Sequence, residues 1–217
     1  MGTVLGKIDV EAPKYEMIQS SPDYEIRKYP PTVIAEVTYD PSDYKGDKDG
    51  GFALLAEYIG VSGKPKNIKP EKIAMTAPVI TKSSDSKKIA MTAPVITKSS
   101  ESEKIAMTVP VVTKSGEGEE KKTVTMQFLL PSKYRKAEEA PKPVDERVVI
   151  TEEGERKYGV VKFAGIATDK VVKEKEAKLK RSLERDGYKV IGKFVLARYN
   201  PPWCVPAFRT NELRLLI

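Results

Sequence analysis

The chain has 217 residues, 40% of them hydrophobic, enough for one well-buried core and most simply organised as a single domain. It contains no histidine and one cysteine, Cys204, which excludes Ser-His-Asp and Cys-His nucleophiles, the commonest metal ligand, zinc sites of ordinary composition and any internal disulfide. The net charge of +7 permits contact with anions, but Lys and Glu are interspersed along the segments that carry it, as on a solvated face.

Met1 to Lys7 lacks the apolar run of a secretory signal and the Arg/Ser-rich character of a transit peptide, and no segment approaches the roughly 18 apolar residues of a membrane span. Gly6 stands where a myristoylation pattern wants Ser or Thr. With the lone cysteine, these features point to a cytoplasmic protein. Residues 1–14 read as an N-terminal tail and residues 15–217 as the domain.

In chain order, Tyr15 to Ser20 and Tyr24 to Tyr29 are short alternating runs split by Ser21-Pro22-Asp23, the pattern of a hairpin. Pro30-Pro31 interrupts the chain before Thr32 to Thr38, a predicted strand with Val33, Ala35 and Val37 on one face. A polar loop leads through Asp49-Gly50-Gly51 to a helix over Phe52 to Ile59. Its apolar residues Phe52, Leu55, Ala56 and Ile59 fall at i, i+3, i+4 and i+7, and Leu54 and Tyr58 form a second stripe, so the helix is apolar nearly all round.

Ile73-Ala-Met-Thr-Ala-Pro-Val-Ile-Thr81 then returns as Ile89 to Thr97 and, with Val109 and Val112 substituted, as Ile105 to Thr113, a period of 16 residues. So short a period supplies only a strand and a turn per copy. Alternation predicts a strand starting at Ile73, with Ile73, Met75, Ala77 and Val79 on one face, and the proline of each copy demands an edge, bulge or bend. Strands alternate in direction, so one extra copy reverses the chain and two restore its direction before the next strand, Thr123 to Leu130. Gly116-Glu-Gly-Glu marks the turn between them. Short strands follow at Val148 to Thr151 and Tyr158 to Ala167, then a helix capped by Thr168 or Asp169 and ended at Gly187, then strands over Lys189 to Tyr199 and Glu212 to Ile217. The two halves share one grammar, strand, helix, strand, strand. Two β-α-β-β units predict an α+β fold, a distorted antiparallel β-barrel flanked by two α-helices.

Lys72-Ile-Ala-Met-Thr-Ala-Pro-Val79 resembles the signature of the SOUL haem-binding protein family, in which such a strand follows a helix like Phe52-Ala-Leu-Leu-Ala-Glu-Tyr-Ile59. Val124-Thr-Met-Gln-Phe-Leu-Leu-Pro131 is similar to the family's next strand, and Tyr199-Asn-Pro-Pro-Trp203 through Arg209-Thr-Asn-Glu212 to its C-terminal motif. The departure is the triplicated motif, single in the family pattern. The resemblance implies the same barrel and, as ligand, haem or another tetrapyrrole. A planar apolar macrocycle with acidic edges calls for an apolar shelf, expected from Phe52, Leu55, Ala56 and Ile59, closed over by Trp203, Cys204 and Val205. Basic residues credited to the family at the propionates correspond here to Glu57 and to Cys204 or Val205. Lys45, Lys48 and Arg209 are the substitutes at hand, with Arg209 equally placed to pair with Glu212. Without histidine, iron is left with Met, Cys, Tyr or Lys, so the expected mode is weak, mostly apolar binding that suits a carrier or buffer and metal-free porphyrins too.

No catalytic constellation emerges. Gly60-Val-Ser-Gly63-Lys64-Pro65 has the wrong glycine spacing for a phosphate loop, and Glu152-Glu153 reads as a solvated pair. The expectation is a monomer without enzymatic activity, metal site, membrane span or nucleic-acid partner. The alternative is an interaction module whose repeated β-segments add strands to an unidentified protein partner, or a binder of another small apolar ligand.

Overall fold

The computed structural model describes residues 7–44, 49–61, 63–85, 122–201 and 203–217. The first hairpin forms from β1 (Glu16–Ser20) and β2 (Glu25–Tyr29), with the Ser21 hydroxyl accepting the Tyr24 N–H at the turn. After β3 (Thr32–Tyr39), helix α1 occupies Phe52–Ile59, as its apolar spacing predicts. Gly60 ends it at φ 85°, with its N–H on the carbonyls of Ala56 and Glu57; a Cβ there would lie 2.9 Å from Pro65. The remaining elements are β4 (Val79–Asp85), β5 (Lys122–Leu129), β6 (Val149–Glu153), β7 (Arg156–Ala164), α2 (Asp169–Arg185), β8 (Ile191–Arg198) and β9 (Thr210–Leu216). Thr168 caps α2 by accepting the Val171 N–H. No helix among the described residues is long and apolar enough to cross a membrane.

The first copy of the repeat supplies β4, but the strand begins at Val79 and not at Ile73. Pro78 has no N–H to give a ladder, and the residues before it find other partners. Ile73 N–H bonds to Ile59 O, Ala77 N–H to Glu11 O, and the Thr76 hydroxyl to Leu129 O. β4 pairs directly with β5, from Val79 opposite Phe128 to Asp85 opposite Lys122. The second and third copies and the Gly116 turn lie outside the described residues.

The nine strands of the described residues form one antiparallel sheet in the order β1-β2-β7-β9-β8-β4-β5-β3-β6. The predicted units are β3-α1-β4-β5 and β7-α2-β8-β9, related about the central β8·β4 pair. Each is preceded by a strand that joins the other unit: β2 pairs with β7, and β6 with β3. The sheet is a curled half-barrel, open at β1 and β6, because these edge strands pair on one side only. The link between β2 and β3 is Pro30-Pro31, and that between β6 and β7 is Gly154-Glu155. Tyr29 pairs with Arg156 and Thr32 with Glu153, so the two links cross side by side from one half to the other.

Period-2 alternation divides the side chains between faces. On the outer face, Val33, Ala35, Val37, Met126 and Phe128 pack under α1, while Ile26, Phe163, Leu213 and Leu215 pack under α2. Gly159 lets α2 approach, since a Cβ there would lie 2.6 Å from the Leu183 side chain. The inner face gathers Tyr29, Ile80, Tyr158, Val160, Val195 and Ala197.

Charges also lie on that inner face. Glu212 accepts from Arg27 Nη1 at 2.8 Å, from Arg214 Nη2 at 2.7 Å and from the Tyr199 hydroxyl at 2.8 Å, and Arg27 also bonds Glu25. Arg27, Glu212 and Arg214 are buried to 4% exposure each. Burial works to raise the Glu212 carboxyl, but Arg214 and Arg27 outweigh it and hold the group below its ordinary value. Arg209 donates its Nε to Cys204 O.

Two outcomes follow for stability. β4 and β5 are already paired neighbours, so removing whole periods from Ser83 onward, which brings Ser99 or Ser115 to the position after Lys82, reverses no strand of the described sheet. Deleting residues 83–98 or 83–114 is expected to leave a cooperatively folded domain in both cases, with similar thermal midpoints; an unfolded longer deletion would show that the later copies hold the core. Glu212→Gln strands two buried guanidinium groups and is expected to cost about 3–5 kcal/mol, read as a lower urea midpoint at unchanged slope. Because the folded Glu212 value is depressed, its contribution is complete above the ordinary glutamate value of 4.5 and is lost as pH falls through the folded value. The variant should therefore lose less stability than the parent on acidification.

Candidate functional site

Of the four shelf residues on α1, Leu55, Ala56 and Ile59 are buried. Leu55 and Ile59 pack in one cluster with β3 and β5. The far side of the helix is covered too: Tyr58 donates its hydroxyl to Pro141 O at 2.8 Å, and Tyr134 and Ala140 complete that cluster. An apolar stripe on each side thus reflects a helix held between the sheet and the segment after β5. Phe52, at the start of the helix, is half-buried, its ring edge-on to Phe128 at 5.3 Å.

The C-terminal loop places its three predicted residues differently. Trp203 is 69% exposed and Val205 39%, and Phe208 joins them at 51%. Cys204 is turned inward at 1% exposure; its N–H bonds Pro201 O, and its carbonyl receives Arg209 Nε. The loop is pinned by Asn200 Oδ1, which accepts the Thr210 N–H at 2.7 Å, and by the Gly165 N–H on Arg209 O. An ion pair between Asp49 and Arg198 fastens the segment leading into α1 to the end of β8, from which the loop departs. Glu57 pairs with Lys66 at 2.8 Å, and Lys45 and Lys48 lie outside the described residues.

A second feature, not anticipated from the sequence, is a cleft of about 430 Å³ on the inner face at the seam between the halves. Its walls include both connecting links, through Pro30, Pro31 and Gly154, with Tyr29, Tyr158 and Leu129 further in. Glu153, expected in solvent, is only 17% exposed there and pairs with Lys82 at 2.8 Å and with Arg156. Burial pushes its carboxyl up, but Lys82 and Arg156 outweigh burial and hold it below the ordinary value. Arg214 lies beneath, its guanidinium 4.6 Å from the Tyr29 ring centre. Glu11 to Lys14 run along the cleft, held where the Ser132 N–H meets a Glu11 carboxylate oxygen. The sequence does carry a signal for this face: in Glu212-Leu-Arg-Leu215 the charges alternate with leucines.

Comparison with curated protein sequences gives no match. Among solved structures, the chain is similar to the EcmrR C-terminal domain, with a TM-score of 0.53 at 10% identity over 93% of this chain and 96% of that one. It is also similar to an uncharacterised conserved protein from Listeria innocua, with a TM-score of 0.51 at 12% identity over 88% and 90%. These likenesses are of fold. The family model described as SOUL heme-binding protein matches residues 10–103 and 96–216, so that α1, the Trp203 loop and both connecting links all fall inside it. The chain belongs to the SOUL heme-binding protein family.

Proposed function

We propose that the protein binds haem or a related tetrapyrrole weakly and reversibly at the loop bearing Trp203, Val205 and Phe208, with Phe52 of α1 at its border, and serves as a cytoplasmic carrier or buffer. The observation that carries this reading is the exposure of two large aromatic side chains, Trp203 and Phe208, on one short, pinned loop. Exposed aromatics concentrated on one element mark a binding surface, and a flat macrocycle buries much of its area against such faces. Family membership supports the ligand class.

The residues present suit a porphyrin held by its faces and not by its iron. The chain has no histidine, and the Cys204 sulfur lies buried 3.6 Å from Val205 O, turned away from the exposed side chains of the loop. Binding without a strong axial bond is readily reversed, as a carrier requires. The buried α1 residues serve this site indirectly, by fixing the helix whose first residue is Phe52.

Iron should therefore matter little. Protoporphyrin is expected to bind within about tenfold of haemin, a difference of about 1.4 kcal/mol. A Soret titration checks this, and a much larger preference for the iron complex would sink the face-binding reading. In the same titration Trp203→Ala and Phe208→Ala should each weaken binding while leaving the melting temperature near that of the parent, because both side chains are exposed. Ile59→Asp is not a usable probe, since it places a charge in the core.

A further inference from the structure

We propose that the seam cleft is a second ligand site, independent of the tetrapyrrole reading, and that it takes a small aromatic carboxylate. Its volume of about 430 Å³ lies within the range of about 300–1,000 Å³ usual for small-molecule sites. Flat surfaces line it: Tyr29 and Tyr158 meet edge to face at 5.9 Å, and Pro13, Pro30 and Pro31 stand nearby. An aromatic ring finds stacking partners there at little entropic cost, because tyrosine and proline have few rotamers to lose.

The charge of the ligand follows from the lining. Lys14, Lys82, Arg135, Arg156 and Arg214 face Glu11 and Glu153. Within the fold, Lys82 and Arg156 are matched by Glu153, and Arg214 by Glu212. Lys14 and Arg135 have no ion pair among the described residues, and both are exposed. The third exposed charge of the lining, Glu11, is engaged as acceptor of the Ser132 N–H, so the charges left for a ligand are net cationic and exposed, while Tyr29 and Tyr158 are buried. A carboxylate held by Lys14 and Arg135, with its ring directed inward beside Tyr158 and Leu129, satisfies both. A cationic ligand of the same shape would meet these two cations instead. The cleft opens on the face of the sheet opposite α1; Leu130 and Tyr134 of its lining also belong to the cluster that packs α1, but neither Phe52 nor Trp203 lines it.

Pyrenebutyrate, a fluorescent aromatic carboxylate, tests the assignment against its cationic counterpart pyrenylmethylammonium on the full chain. Saturable binding of the carboxylate is expected, with the ammonium compound at least about tenfold weaker, equivalent to about 1.4 kcal/mol, and the carboxylate's affinity falling with added salt. The double variant Lys14→Ala, Arg135→Ala should weaken the carboxylate about tenfold or more, again about 1.4 kcal/mol. Gly154→Phe should abolish binding by filling the mouth, where a Cβ meets nothing within 4 Å and the fold is not disturbed. The haemin titration should be unchanged in all three substitutions, and Trp203→Ala should leave pyrenebutyrate binding intact. The proposal is overturned if the carboxylate does not bind saturably, if both charges bind alike, if the cleft variants bind like the parent, or if haemin displaces the probe. A failed haemin titration with intact pyrenebutyrate binding would count against the tetrapyrrole reading alone.

Discussion

Two short connections dictate the shape of this protein. Pro30-Pro31 joins β2 to β3, and Gly154-Glu155 joins β6 to β7, yet in each case the joined strands stand six places apart in the sheet order. Six strand spacings measure roughly 29 Å in a flat sheet, whereas three residue steps reach about 11 Å at most. The sheet must therefore curl until its two ends lie against each other. The ladder itself does not close the structure; the two links do, running side by side where proline has no N–H to give. Both helices then occupy the convex side, and the concave side is shielded largely by its own curvature.

That enclosure explains the chemistry of the inner face. A fully apolar concave surface could collapse on itself, but this one carries Arg27, Glu212 and Arg214 at 4% exposure and Glu153, Lys82 and Arg156 nearer the rim. Removing so many charges from water is costly, and each buried ion is tolerable because an opposite charge or a tyrosine hydroxyl completes its shell. The same groups tie the halves together, since Glu212 belongs to β9 and Arg27 to β2, the strand exchanged from the other unit. Space remains between the walls because guanidinium groups fixed by two or more hydrogen bonds cannot fold over to fill it.

Much of the architecture was legible in the sequence for local reasons. The bounds of α1 follow from apolar spacing and from Gly60, and the cap of α2 from Thr168. Less legible was which face looks where. Alternation says that Glu212 and Leu213 point apart, but not that both faces are buried, one under α2 and one in the curl. For the same reason the apolar face of α1 suggested a shelf: Leu55 and Ile59 have the spacing of a binding stripe and also of a core stripe, and the sheet packs against them. The seam could not be inferred from periodicity at all. Pro30-Pro31 reads as a local interruption and Glu152-Glu153 as a solvated pair, and their significance arises only from strands that are distant in sequence and paired in space.

The same geometry accounts for where the chain accommodates its repeated motif. Both exchanged strands and both two-residue links are constrained by the seam, and an insertion there would release the curl. The β4–β5 connection is different. It joins adjacent antiparallel strands, and the cleft draws on Ile80, Lys82, Gln127 and Leu129, whereas Asp85 and Lys122 stand at the other end of the pair. Lengthening a connection between strands that are already neighbours changes neither register nor direction, and its entropic cost grows only as the logarithm of its length. Each added period also re-creates the junction it interrupts, because Ser99-Ser100 and Ser115-Gly116 stand to their copies as Ser83-Ser84 stands to the first. Duplication by whole periods at this point is therefore an addition that the curled sheet can accept without altering its core, its seam or the loop that carries Trp203.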